Sequence, residues 1–288
     1  MIKYIILAIF SMFFGNILSQ EKVLLYPNGV RESNGITENE SFQRSDFVIN
    51  ITEPRMYVYP VEKGNASGTA VLICPGGGYS GVSVIKEGEE IAKWFNEFGV
   101  SAFVLYYRMP NGHWDIPLKD AQQAFFIIRN RANEWNINKK KIGIMGFSAG
   151  GHLASTVGTH FKTKNERQAF MVLGYPVVTM NREITHGGSR KNLLGEQPSD
   201  ELVKLYSNEL HVTGKTPPTF IVHAKDDKAV PIANSENLMK ALTEKKVPAE
   251  LKIYDKGGHG FGMRKSGIPA DNWNEELKTW LKSQKLIK

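Results

Sequence analysis

Ser148 is set in Gly146-Phe147-Ser148-Ala149-Gly150, with Gly151 next in line. A serine hydroxyl becomes a nucleophile only when it is presented to a substrate and a base takes its proton. The G-x-S-x-G spacing serves presentation, because a serine on a strained turn between strand and helix needs neighbours without Cβ atoms. Residues Ile142–Phe147 read as a strand and Ala149–His160 as a helix, the flanks such a turn requires. The Ala149 amide and the helix N-terminus then face the place where an oxyanion forms. A tight turn without chemistry is the plain alternative, and partners elsewhere in the chain decide between the two.

Seven histidines are available as the base: His113, His152, His160, His186, His211, His223 and His259. His259 lies in Gly257-Gly258-His259-Gly260-Phe261-Gly262, directly after the last apolar strand. Open α/β sheets bind ligands beyond the carboxyl ends of their strands, so this loop can face the serine. His259 is therefore the predicted base, with His186 in reserve. His223 ends an apolar strand and reads as a core residue, and His152 belongs to the helix after the serine. The orienting carboxylate is expected after a strand as well. Phe220–His223 leads into Asp226-Asp227, and the spacing D-x-x-V-P from Asp227 to Pro231 favours Asp227 as the orienter. Asp226 is read as a brace of the same loop through backbone hydrogen bonds.

A fourth element is Cys74-Pro75-Gly76-Gly77-Gly78-Tyr79, following the apolar strand Thr69–Cys74. Three glycines let backbone amides approach a bound ester and turn toward its developing charge. A phosphate-binding loop is the rival, but no Gly-Lys-Ser/Thr end follows and the dinucleotide spacing is absent.

These loops need elements to hold them. Strand-like runs at Lys22–Tyr26, Phe47–Thr52 and Arg55–Val61 read as an antiparallel sheet edge. From Thr69 onward apolar strands (Val100–Tyr107, Ile142–Phe147, Phe170–Tyr175, Thr219–His223, Glu250–Tyr254) alternate with amphipathic helices (Lys86–Phe98, Pro117–Trp135, Ala149–His160, Ile232–Lys245, Asp271–Lys285). That alternation predicts an α/β fold with a mostly parallel central sheet and helices on both faces. Residues 20–288 read as one domain, with 177–218 as an insertion that fits a lid over the site or inert surface equally.

The chain has 288 residues, 41% hydrophobic and 23% charged, close to globular averages, which excludes a disordered or collagen-like chain. Lys and Arg outnumber Asp and Glu by 36 to 29, giving a net charge of +7. The charges are scattered and the longest basic run is Lys139-Lys140-Lys141, read as a solvated face. Without zinc-finger spacing, an RNP-like strand or a basic helix, nucleic acid is not an expected partner. The single cysteine, Cys74, excludes an intramolecular disulfide and reads as buried apolar filler. Lys3, the apolar run Tyr4–Phe14 and a small residue at Ser19 read as a secretory leader over residues 1–19, too short to span a bilayer comfortably. A secreted or periplasmic protein without a stable membrane anchor is expected.

The stretch from Val71 to Phe261 resembles the α/β-hydrolase superfamily, whose nucleophile, acid and base follow the order Ser148, Asp227, His259. Within it the chain is similar to small secreted bacterial acetyl xylan esterases and feruloyl esterases. The residues that carry this likeness include Pro75–Tyr79, Tyr107-Arg108, Pro117–Ala121, Gly146–Gly151, Asp226–Pro231, His259–Phe261 and Gly188–Gly195. Pro75 stands where hormone-sensitive-lipase-like relatives carry His. The resemblance implies oxyanion amides from Gly77, Gly78 and Ala149, no metal or organic cofactor, and an acylated polysaccharide as substrate. Tyr79, Trp114 and Tyr175 are candidates for a sugar platform, with core or cleft wall the plainer reading of each, and Arg108 and Asp120 are candidates for structural roles. Rival expectations are a feruloyl or general carboxylesterase, a prolyl-oligopeptidase-type peptidase, and an inactive scaffold serving as a carbohydrate-binding module. The stretch before Thr69 is too short for a propeller, which weighs against the peptidase.

Overall fold

Val71-Leu72-Ile73-Cys74 is apolar at every position, a pattern suited to a strand covered on both faces. The computed structural model describes residues 20–288 and places this run as β5 (Ala70–Cys74), with every residue buried. The expected leader at residues 1–19 lies outside the described residues. The period of two divides β5 between two cores: Leu72 and Cys74 face one, Val71 and Ile73 the other.

Eight strands form the main sheet. In chain order they are β1 (Lys22–Leu24), β4 (Arg55–Tyr59), β5, β7 (Ser101–Tyr106), β8 (Ile142–Phe147), β9 (Met171–Gly174), β10 (Thr219–Ala224) and β11 (Ala249–Tyr254). Their order across the sheet is β1-β4-β7-β5-β8-β9-β10-β11. The six from β7 to β11 are parallel, and β4 and β1 extend the β7 side by antiparallel pairing. The remaining strands, β2 (Ser41–Arg44), β3 (Phe47–Ile49) and β6 (Val82–Ser83), make a separate antiparallel sheet. Phe47–Thr52 therefore does not extend the main sheet edge as expected. The short β6, which sequence reading missed, draws β3 against the glycine loop.

Helices cover both faces. On one side lie α2 (Ile116–Asn130), α3 (Ser148–Thr159) and α6 (Ala233–Glu244), burying Ala121, Leu153 and Leu238 among others. On the other lie α1 (Glu90–Asn96) and α7 (Trp273–Ser283), burying Ile91, Phe95, Trp273 and Leu277. The buried positions of α7, Trp273, Leu277, Trp280 and Leu281, keep the spacing of one helical face. Two helices are shorter than their apolar spacing suggested: α2 ends at Asn130, and Ile85–Glu89 winds as a wider π-helical turn before α1.

The 177–218 segment holds α4 (Gly187–Leu194) and α5 (Asp200–Leu205). It is pinned at several points. Asn234 Oδ1 accepts from the Val178 and Thr179 amides at 3.0 and 3.2 Å, and buried Asn208 donates to the His152 carbonyl and to Ser155 and Thr156 of α3. Among the described residues no helix is long and apolar enough to cross a membrane.

Register aligns the strand ends. Cys74 pairs with Gly146, Phe147 with Gly174, and Ala224 with Tyr254. The loops leaving β5, β8, β9, β10 and β11 therefore emerge at one edge of the sheet.

Candidate active site

Ser148 opens α3 with φ of 51°, in the left-handed region that costs a non-glycine residue about 1–3 kcal/mol. Its flanking glycines make the turn possible. A Cβ on Gly146 would stand 2.0 Å from the Gly150 carbonyl, and one on Gly150 would stand 2.1 Å from the Cys74 carbonyl. The tight approach of β5, β8 and α3 thus excludes any larger residue at either place.

Ser148 Oγ lies 2.9 Å from His259 Nε2 and donates to it, and His259 Nδ1 donates to Asp227 Oδ2 at 2.7 Å. The other Asp227 oxygen accepts from the Ala229 and Val230 amides, each at 2.9 Å. His223 Nε2 is also near, 3.3 Å from Asp227 Oδ2, and is bonded to the Val230 carbonyl. Burial alone would raise the Asp227 carboxyl, but hydrogen bonds from His223, His259 and the Val230 amide outweigh it and hold the group well below the usual carboxylate range. Asp226 does something different. Its Oδ1 accepts from the Gly257 and Gly258 amides at 2.9 and 2.7 Å, bracing the loop that carries His259.

Of the glycine loop, Gly76 is committed: its amide donates to Glu87 Oε2 at 2.8 Å. Gly77 and Gly78 take φ of 150° and 63°, and the turn they make lies beside Ser148, since a Cβ on Gly76 would come within 3.0 Å of the Ser148 Cβ. The Gly78 carbonyl is held by Asn192 Nδ2 of α4 at 2.8 Å. Ala149 is buried in the first turn of α3, where backbone amides have no partner within the helix. The start of the glycine loop and the N-terminus of α3 thus lie beside Ser148.

Two of the three expected platform residues are corrected. Tyr79 is buried with its hydroxyl donating to His152 Nδ1 at 2.8 Å. Tyr175 is also fully buried, its ring 5.0 Å from the His259 ring and edge-on to it. Neither offers a face to a sugar. Trp114 is 38% exposed and packs edge-on against Tyr206. His186 does not reach the serine as base. It stands across the site, with Gly78 as a neighbour and with burial and nearby His259 both holding its imidazole below the ordinary value.

Glu87 was not singled out from the sequence. It is 3% exposed and ties Gly76 to the Tyr175 hydroxyl, and that hydroxyl in turn accepts from the Gly262 amide at 3.2 Å. Only the π-helical turn at Ile85–Glu89 brings this carboxylate inward, and helical spacing gives no sign of it. Cys74 is buried, and burial pushes its thiol far above the ordinary range, as suits apolar filler. Arg108 and Asp120 form a buried ion pair at 2.6 Å. Among the described residues no group of three or more His, Cys, Asp or Glu is placed to hold a metal ion.

Comparison with known proteins gives the same architecture. A family model described as BD-FAE matches residues 56–242. Over 223 residues, 76% of this chain, the sequence is 40% identical to an acetylxylan esterase of Xylanibacter ruminicola, the match covering 46% of that protein. It is 37% identical over 222 residues to endo-1,4-beta-xylanase B of Butyrivibrio fibrisolvens, covering 72% of this chain and 34% of the other. The chain spans less than half the length of these two curated relatives. The crystal structure of an acetyl ester-xyloside bifunctional hydrolase from Caldicellulosiruptor lactoaceticus superposes with a TM-score of 0.81 at 35% identity, covering 95% of this chain and 100% of that one.

Proposed function

This chain belongs to the BD-FAE family of α/β hydrolases, and from that premise we propose that it is a serine esterase releasing acetyl groups from acetylated xylan. The observation that carries the reading is the hydrogen-bonded array of Ser148, His259 and Asp227. In it Ser148 Oγ attacks the ester carbonyl while His259 Nε2 takes its proton. Asp227 holds the imidazole in the tautomer that accepts from serine and stabilises the imidazolium. Amides of Gly77 or Gly78, with that of Ala149, receive the oxyanion. His259 then returns the proton to the sugar oxygen, which leaves as an alcohol. Water, deprotonated by the same imidazole, releases acetate from the serine. The sequence needs no metal or organic cofactor.

The named relatives favour the substrate: one is an acetylxylan esterase, and the structural neighbour acts on acetyl esters and xylosides. A polymer of that kind is met outside the cell, in keeping with the leader read at residues 1–19.

The test is hydrolysis of p-nitrophenyl acetate by the wild type and Ser148→Ala, together with acetate and ferulate release from acylated xylans. The serine variant is expected to lose at least about 10³-fold in kcat. Equal rates in the two proteins overturn the esterase reading. Ferulate release exceeding acetate release overturns the acetyl preference alone.

A further inference from the structure

Far from Ser148, the N-terminal edge of the sheet carries a second concavity. The second half of α2, the approach to β8 and residues 161–169 before β9 enclose a cavity of 780 Å³. That falls within the ~300–1,000 Å³ range of small-ligand sites. The six residues of β8 separate this edge from Ser148 by about 20 Å at the usual rise of a strand.

Its lining combines aromatic rings with cations. Phe126 is 58% exposed beside buried Phe125. Around them stand Arg129, Lys139, Lys140, Lys164 and Arg167, with Glu166 the one acidic residue of the lining. Glu166 does not neutralise them: its carboxylate accepts from the Lys162 amide and the Thr163 hydroxyl. Among the described residues none of the five cations has a carboxylate within 4.0 Å, whereas Lys22, Lys93, Lys119, Lys191, Lys225 and Lys252 each have one. Arg129 lies over the Phe125 ring at 5.1 Å, and its guanidinium makes a single hydrogen bond, to the Arg167 carbonyl. Its Nε is buried without a partner, as is Gln168 Oε1 in the same lining.

Arg167 already donates to the Lys215 and Thr216 carbonyls, so a ligand for this cavity must bring negative charge chiefly to Arg129 and the three lysines, and an apolar face to Phe126. A planar carboxylate suits the open guanidinium fork of Arg129. A pyranose ring supplies C–H groups to the aromatic face and hydroxyl groups to the polar wall. We propose that this cavity binds a carboxylate-bearing saccharide, a uronate-substituted oligosaccharide, at a site separate from Ser148. A nucleic acid duplex carries its phosphates on the outside of a rigid cylinder and does not fit within such a concavity. The basic run Lys139–Lys141, read from sequence as a solvated face, contributes two of the five cations. On an acidic xylan the site would hold the polymer while Ser148 acts on it, but binding itself requires no chemistry at Ser148 and is measured apart from it.

The test titrates the full chain calorimetrically with a glucuronate-substituted xylo-oligosaccharide and with the same oligosaccharide after its carboxyl groups are reduced to alcohols. The acid form is expected to bind at least about tenfold more tightly. Lys140→Gln/Lys164→Gln and Phe126→Ala, all at exposed positions, are each expected to weaken it by threefold or more. The lysine variant should also show a shallower rise of Kd with NaCl. Hydrolysis of p-nitrophenyl acetate is expected to stay at the wild-type rate in both. Equal affinity for the acid and reduced forms overturns the proposal, as does unchanged binding by both variants. Tighter binding of single-stranded DNA or of phosphatidylglycerol vesicles than of the acidic oligosaccharide also overturns it, in favour of another polyanion.

Discussion

The Tyr175 hydroxyl donates to Glu87 Oε1 at 2.8 Å, and the other oxygen of that carboxylate receives the Gly76 amide. Gly76 begins the turn of Gly77 and Gly78, the glycines proposed to receive the oxyanion, and Gly262, which donates to the same phenol, follows His259 by three residues. One buried carboxylate–phenol pair therefore fixes two loops from different strands against each other. Burial and the adjacent Glu87 together push the Tyr175 phenol well above its ordinary value, so it remains a donor at any working pH.

Removing the phenol leaves a buried carboxylate short of one partner and a backbone amide with none. Tyr175→Phe is expected to cost about 1–3 kcal/mol of stability, read from urea unfolding. Its kcat on p-nitrophenyl acetate should fall more than its KM rises, because loop positions set transition-state contacts. A variant with wild-type kcat would show that the pair serves stability alone.

The adjacent aspartates should separate in kinetics. Asp227→Asn places an amide opposite His259 Nδ1, favours the wrong tautomer, and is expected to lower kcat by about 10³–10⁴. Raising the pH will not restore it. Asp226→Asn keeps an acceptor oxygen for the Gly257 and Gly258 amides, so a loss below tenfold is expected. The reverse ranking in steady-state assays would exchange the two roles.

His152 predicts an acid-sensitive fold. Burial, with a smaller contribution from His160, lowers its pKa from 6.5 to about 4, against the Tyr206 carbonyl, which raises it. The unfolded chain takes up this proton near pH 6.5 and the folded chain only near pH 4. Between those values the unfolded state binds more protons, so stability falls as pH falls. The full effect is about 3 kcal/mol. The Tm of wild type is expected to drop more steeply from pH 7 to pH 4 than that of His152→Gln. Parallel curves would refute the assignment.

The Arg108–Asp120 pair is buried on both sides and also ties the Arg108 amide to the carboxylate. Asp120→Asn leaves a buried guanidinium without its counter-charge, and a loss of about 3–5 kcal/mol in unfolding free energy is expected. The folded fraction should keep the wild-type KM for p-nitrophenyl acetate. A raised KM with unchanged stability would move the pair from scaffold to site.

Much of this molecule is legible in local sequence. Period-two and period-3.6 apolar patterns place most strands and helices, because burial on one or two faces is a local constraint on residue type. G-x-S-x-G announces its turn because only glycine fits beside the Cys74 and Gly150 carbonyls. Ser148, Asp227 and His259 are each placed by following a strand, since a parallel sheet collects its strand ends on one edge. Other features needed tertiary structure. That Asp227 rather than Asp226 meets His259 was favoured by spacing, but the 2.7 Å contact depends on how two loops pack. The burial of Tyr79 and Tyr175, the departure of β3 into a second sheet, and the inward turn of Glu87 depend on partners far away in the chain. Arg129 and the four other cations of its cavity, none with a carboxylate partner, likewise come from a helix and two loops, so no window of sequence contains them. Local pattern sets which elements form, whereas long-range packing chooses which side chains meet.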